Sequence, residues 1–92
     1  MKRAHILYSG QVQGVGFRYT AQDIAMGLGL TGWVKNLENG RVEIIAEGKE
    51  KDLNDFLGKI SKGQLGRYIT NAELSWEKPT GEFDVFDMRS DI

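Results

Sequence analysis

Asn39-Gly40 sits between two runs rich in β-branched and apolar residues, TGWVKNLE over residues 31–38 and RVEIIAE over residues 41–47. This dipeptide readily adopts the positive φ angles of a tight hairpin turn, so the centre of the chain is read as two antiparallel strands. The rest of the sequence has to be arranged around that pair.

Two stretches carry helical periodicity instead. Residues 17–28 place Ala21, Ile24, Ala25 and Leu28 at i, i+3, i+4 and i+7, one apolar stripe, with Gly29 as a C-terminal stop. Residues 50–60 repeat the stripe with Leu53, Phe56, Leu57 and Ile60 among Lys, Asp and Asn, so the opposite face is solvated. The run AHILYS at residues 4–9, ended by Gly10, suits a first strand. KGQLG at 62–66 reads as loop, residues 68–78 as a strand, Pro79-Thr80-Gly81 as a turn, and residues 83–89 as a last strand with Phe83, Val85 and Phe86 packing inward.

The order β-α-β-β-α-β is that of an α+β ferredoxin-like sandwich, two helices on one face of an antiparallel sheet, with an optional fifth strand at an edge. With 92 residues, 40% of them hydrophobic, the chain is expected to form one domain over residues 1–92 with a single core. In this topology the first and second strands run the same way with the third between them. Their C-terminal ends therefore emerge at one edge of the sheet, and the loop after the first strand faces the end of the second.

Composition excludes several chemistries. With no cysteine there is no disulfide framework, no thiolate nucleophile and no Cys-based zinc site. Twelve basic against thirteen acidic residues, without a Lys/Arg block, argue against a phosphate-backbone binder, so no nucleic-acid partner is expected. The opening MKRAHILYSGQVQ reaches Ser9-Gly10 too early for a leader or a membrane span, and a cytoplasmic, membrane-free monomer is the expectation. The acids Glu47, Glu50, Asp52 and Asp55 lie around a helix that reads as solvated, without His or carboxylate spacing for a metal; neither metal nor cofactor is expected. His5 is the lone histidine and reads as structural or surface, Trp33 and Trp76 as packing, and Asn39 as a turn residue.

The shared edge is where chemistry is sought. Gly10, Gly14 and Gly16 let the backbone of the loop curl with its N–H groups inward as an anion nest, and the helix start adds unpaired N–H groups. Arg18 offers a permanent charge with a fork of donors shaped for phosphate or carboxylate. Asn36 lies near the end of the second strand. Glycine-rich turns also serve merely to reverse a chain, and this one is neither a Walker A loop nor a dinucleotide fingerprint.

The blocks GQVQGVGFR (10–18), GWVKN (32–36), ENGRVEIIAEG (38–48) and WEKPTGEF (76–83) occur in the order and spacing of the acylphosphatase family, which the sequence resembles over most of its length. The resemblance implies a hydrolase that splits the carboxyl-phosphate mixed anhydride of small acyl phosphates into carboxylate and inorganic phosphate. It implies a phosphate cradle from the backbone of Gln13, Gly14, Val15, Gly16, Phe17 and Arg18, phosphate binding by the Arg18 guanidinium, and a nucleophilic water held by Asn36. The chemistry suits so sparse a site: the leaving carboxylate has a conjugate acid of pKa roughly 4 and needs no general acid. Phosphoryl transfer through a loose transition state is then served by positioning and by donors on the equatorial oxygens. The family usually ends soon after the last strand with its terminal carboxylate near the arginine, whereas here Ser90-Asp91-Ile92 follow Arg89. Tyr19 stands where the related domains of large hydrogenase-maturation proteins often have proline.

Two other functions share these features. An RNA-recognition domain has the same element order, but residues 41–47 put Arg41, Glu43, Ile45 and Glu47 on the face where aromatics would stack bases. A phosphate or acyl-phosphate sensor would keep the cradle without turnover; retention of both Arg18 and Asn36 favours the enzyme.

Overall fold

A computed structural model describes residues 1–89. The elements are β1 (Lys2–Gly10), α1 (Phe17–Gly27), β2 (Thr31–Asn36), β3 (Val42–Gly48), α2 (Glu50–Lys62), a 3-10 turn (Gln64–Tyr68), β4 (Ile69–Glu77) and β5 (Phe86–Met88). The strands form one sheet in the order β4-β1-β3-β2-β5. Because β3 is antiparallel to both β1 and β2, those two strands run the same way and end at one edge, as expected from the sequence.

The period-2 pattern decides which face is covered. Ala4, Ile6 and Tyr8 of β1, Val34 of β2, and Val42, Ile44 and Ala46 of β3 are buried, and they meet Phe17, Ala21 and Ala25 of α1 and Leu53, Phe56 and Ile60 of α2. Each fully buried aliphatic or aromatic side chain here contributes roughly 1.5–3 kcal/mol relative to exposure. Ile24 and Leu28 complete the stripe only at the margin, partly buried.

The opposite face is not bare. The connection through residues 78–85 runs from β4 at one edge to β5 at the other, and on its way it caps Glu47. The Glu47 carboxylate, wholly buried, accepts hydrogen bonds from the N–H groups of Thr80 (2.9 Å) and Gly81 (3.0 Å), and pairs with Arg3 Nη1 at 3.2 Å. Glu47 therefore does not belong to a solvated helix surface, as its place beside α2 suggested; it is the centre of a strand-to-loop clasp. Burial alone pushes its carboxyl upward, but the two backbone donors, the Thr80 hydroxyl and Arg3 outweigh that and hold it below the usual carboxylate range.

A carboxyl whose pKa is lower folded than unfolded stabilises the fold fully above its unfolded value, about 4.3, and loses that contribution as pH falls through the folded value. Glu47→Gln should therefore cost about 2 kcal/mol at neutral pH, since its amide must present a donor where backbone N–H groups already point. Urea unfolding at pH 7 and pH 3 should show the gap to wild type narrowing in acid. An unchanged gap would mean that the Glu47 charge does not hold the clasp.

Several sequence expectations are corrected. β5 covers only Phe86–Met88 and pairs parallel with β2, so the sheet is not wholly antiparallel. Phe86 is buried, but Val85 is 58% exposed, and Phe83 lies outside any strand, 5.6 Å under the Arg3 guanidinium. Asn39 does not take a positive φ: Leu37 N–H donates to the Arg41 carbonyl at 2.8 Å, leaving a three-residue loop in which Gly40 alone is left-handed at φ 88°. Asn39 Oδ1 accepts from Arg41 N–H at 3.0 Å, so its role is still that of a turn residue. The segment read as loop after α2 winds into the 3-10 turn and buries Leu65. Of the core or rim positions expected for the tryptophans, Trp76, 46% exposed, does not take the core one.

Candidate active site

At the edge shared by β1 and β2, a cavity of 270 Å³ is lined by Val12, Gly14, Gly16, Phe17, Arg18, Tyr19 and Asn36. Each element brings one part. After Gly10 the chain leaves the sheet, held by a hydrogen bond from Gln11 N–H to the Tyr68 carbonyl, and Val12 is driven into the core. The loop is then exposed at Gly14 and Gly16, whose φ values of 79° and 77° are left-handed and readily adopted only by glycine. No heavy atom beyond the chain neighbours stands within 4 Å of where a Cβ would be at either residue, so the positive φ, not crowding, is what calls for glycine here. None of the backbone hydrogen bonds formed by the described loops uses the N–H groups of residues 13–16.

Two side chains fix this loop. Gln13 Nε2 donates to the carbonyls of Leu37 (2.7 Å) and Arg41 (2.9 Å), tying the loop to the mouth of the β2–β3 hairpin. Phe17 is buried as the first residue of α1, its ring 5.3 Å from that of Tyr8. Burial pushes the Tyr8 phenol well above its ordinary value, so it stays protonated beneath the loop. Gly16 is the N-cap of α1, without a side-chain cap, and there is no acidic residue in the first turn. The helix N-terminus thus keeps its unpaired N–H groups and positive end toward the cavity.

Arg18, in that first turn, is half-buried, and its Nη1 donates to the carbonyl of Arg89 at 2.9 Å. Across the cavity, Asn36 closes β2. It is 8% exposed, and its Oδ1 is buried without a hydrogen-bond partner among the described residues. A buried acceptor left unmatched is costly in a protein interior and points to a group that has another use. Here that acceptor lines the same cavity as Arg18 and the two cradle glycines. Gln13 and Val15 of the expected cradle are not among the cavity-lining residues: the Gln13 side chain turns away to the hairpin, and Val15 packs against the core.

The acylphosphatase family model matches residues 4–88, which includes every residue that lines the cavity. The chain belongs to the acylphosphatase family. It is 46% identical to an acylphosphatase of Methanospirillum hungatei JF-1 over 99% of this chain and 100% of that protein. A crystal structure of acylphosphatase from Bacillus subtilis superposes with a TM-score of 0.90 at 37% identity, covering 97% of this chain and 99% of the other. The HypF protein of T. kodakarensis gives a TM-score of 0.83 at 38% identity, covering 99% of this chain but 12% of its own.

Compared with this acylphosphatase fold, sequence reasoning missed three parts of the site. Val12 and Tyr19 line the cavity, and the carbonyl of Arg89 engages Arg18. Tyr19, 70% exposed beside Arg18, could have been found from helix position; a backbone carbonyl from 71 residues away carries no sequence signal. The question of a terminal carboxylate near Arg18 falls on Ser90-Asp91-Ile92, outside the described residues. His5 lies on the far sheet face, its Nε2 2.7 Å from Glu43 Oε2, away from the cavity. Among the described residues no three His, Asp or Glu side chains converge as a metal site. Among the described residues no helix is long and apolar enough to cross a membrane.

Proposed function

We propose that this protein hydrolyses small acyl phosphates to a carboxylate and inorganic phosphate, with Arg18 and the 13–18 backbone holding the phosphate and Asn36 orienting water. The observation that carries the reading is the convergence of the cradle glycines, Arg18 and the partnerless Asn36 oxygen on one cavity. The phosphate oxygens take up the loop and helix N–H groups and the Arg18 fork, which strengthens as charge spreads over the equatorial oxygens. Asn36 Oδ1 accepts a hydrogen bond from the attacking water and aims its lone pair at phosphorus. The amide is too weak a base to take the proton, which passes to the substrate's own phosphate. The acyl group leaves as a carboxylate without protonation.

Further parts of the reading are that residues 1–92 act as one domain, that turnover needs no metal, and that the protein works as a cytoplasmic monomer. The donor set supports the second of these, since the charge that a metal would supply comes from Arg18 and the helix start. Nucleic-acid binding is disfavoured by the far face of the sheet, where Glu43 and Glu77 flank His5 and Glu73 pairs with Arg41.

The test is hydrolysis of benzoyl phosphate by the purified protein with and without EDTA. Equal rates with and without chelator, inhibited competitively by inorganic phosphate, are expected. A folded protein that binds phosphate yet shows no turnover would replace this reading with a sensor.

A further inference from the structure

We propose that Trp33 and Arg89 form a clamp on the back of the sheet that positions the Arg18 guanidinium in the cavity on the front. This rests on the function proposed above, because it assigns how the phosphate-binding arginine is held.

Three contacts meet in one residue. Arg89, immediately after β5, donates its N–H to the Val34 carbonyl at 2.9 Å and accepts Arg18 Nη1 on its own carbonyl at 2.9 Å. Its guanidinium lies 4.6 Å from the centroid of the Trp33 ring. The register of the parallel pair, Gly32 with Phe86, Trp33 with Asp87 and Val34 with Met88, puts buried Phe86 on the helix side and Arg89 on the face away from it. The side chain therefore grips β2 from behind while the main chain holds Arg18 from the edge.

The clamp matters because Phe86 and Met88 hold only the core-side face of β5. The strand is three residues long and lies at the sheet edge, the kind of segment that opens locally at low cost. Gln22 Nε2 secures the Phe86 carbonyl at 3.0 Å, but that is the other end of the strand. At the Arg89 end, Met88 packs against the core and the stack on Trp33 holds the opposite face. Lys35 Nζ also approaches the Trp33 ring, at 5.1 Å, but it belongs to β2 and cannot tether β5. The hydrogen bond to the Arg89 carbonyl constrains the Arg18 fork, and a planar donor set serves a phosphate only in the correct plane.

The experiment compares phosphate affinity by calorimetry and benzoyl phosphate kinetics in Trp33→Leu, Arg89→Gln, the double variant, and the conservative Trp33→Phe and Arg89→Lys. Trp33→Leu and Arg89→Gln should each weaken phosphate binding and raise KM by about fivefold, in keeping with an exposed cation–π contact. The double variant should be no worse than either single one, because one contact is lost in both. Trp33→Phe and Arg89→Lys should recover most of the loss, which separates the clamp from general damage. A loss in Arg89→Gln without one in Trp33→Leu would overturn the proposal in favour of long-range charge, and additive losses would overturn it equally. A wild type that bound phosphate without turnover would instead remove the hydrolase reading, leaving the affinity cycle to decide the clamp.

Discussion

Arg18→Ala is expected to lower kcat/KM for benzoyl phosphate by on the order of 10³-fold or more, the scale seen when an arginine or a preorganised donor is taken from a phosphoryl-transfer or oxyanion site. Inhibition by inorganic phosphate should disappear with it, since ground state and transition state use the same guanidinium. The side chain is half-buried at the mouth of the cavity and donates to the Arg89 carbonyl, a contact whose loss costs about 1 kcal/mol. Arg18→Lys tests the geometry. It keeps the charge but not the planar fork, and should recover only a small part of the activity. Kinetics, phosphate inhibition and thermal unfolding on the same preparations check all of this. An Arg18→Ala protein still inhibited by phosphate at the wild-type level would move the phosphate site away from α1.

How far the molecule could be read from its sequence varies by element. Both helices declared themselves through i, i+3, i+4 stripes, and Leu53, Phe56 and Ile60 are buried as their spacing required. The edge shared by β1 and β2 follows from topology alone, which is why the sequence already places Arg18 and Asn36 together. The failures have a common cause in long-range contacts that local pattern does not encode. In FDVFDMR the apolar residues at 83 and 85 mimic a strand, but the residues that meet α1 and β2 are Phe86 and Met88, one step out of phase. Phe83 is held instead by Arg3, 80 positions away, an attraction of cation for ring that no periodicity reports. Glu47 falls on the outward phase of β3, and only the later crossing of Thr80 and Gly81 buries it. Asn39 was read as one of two left-handed residues, whereas the longer loop lets Gly40 carry that strain alone.

Asn36→Ala should lower kcat by about 10²- to 10³-fold, the usual loss for a single preorganised polar group, while the inhibition constant for phosphate stays within about threefold of wild type. The split follows from where the residue sits. Asn36 ends β2 while the loop glycines and Arg18 line the cavity from α1, so in the proposed site the phosphate is held without it. Stability gives an independent reading. The Oδ1 atom is buried with no partner among the described residues, so the folded protein already bears the cost of removing that acceptor from water. Truncation to alanine should therefore leave the unfolding free energy unchanged or raise it, although a buried polar residue is being deleted. A core asparagine serving only the fold would behave oppositely, losing about 1–3 kcal/mol of stability with little change in kcat. Urea unfolding and steady-state kinetics on this one variant thus distinguish an acceptor kept for water from one kept for packing. Parallel loss of phosphate affinity and turnover would show instead that Asn36 holds the phosphate itself.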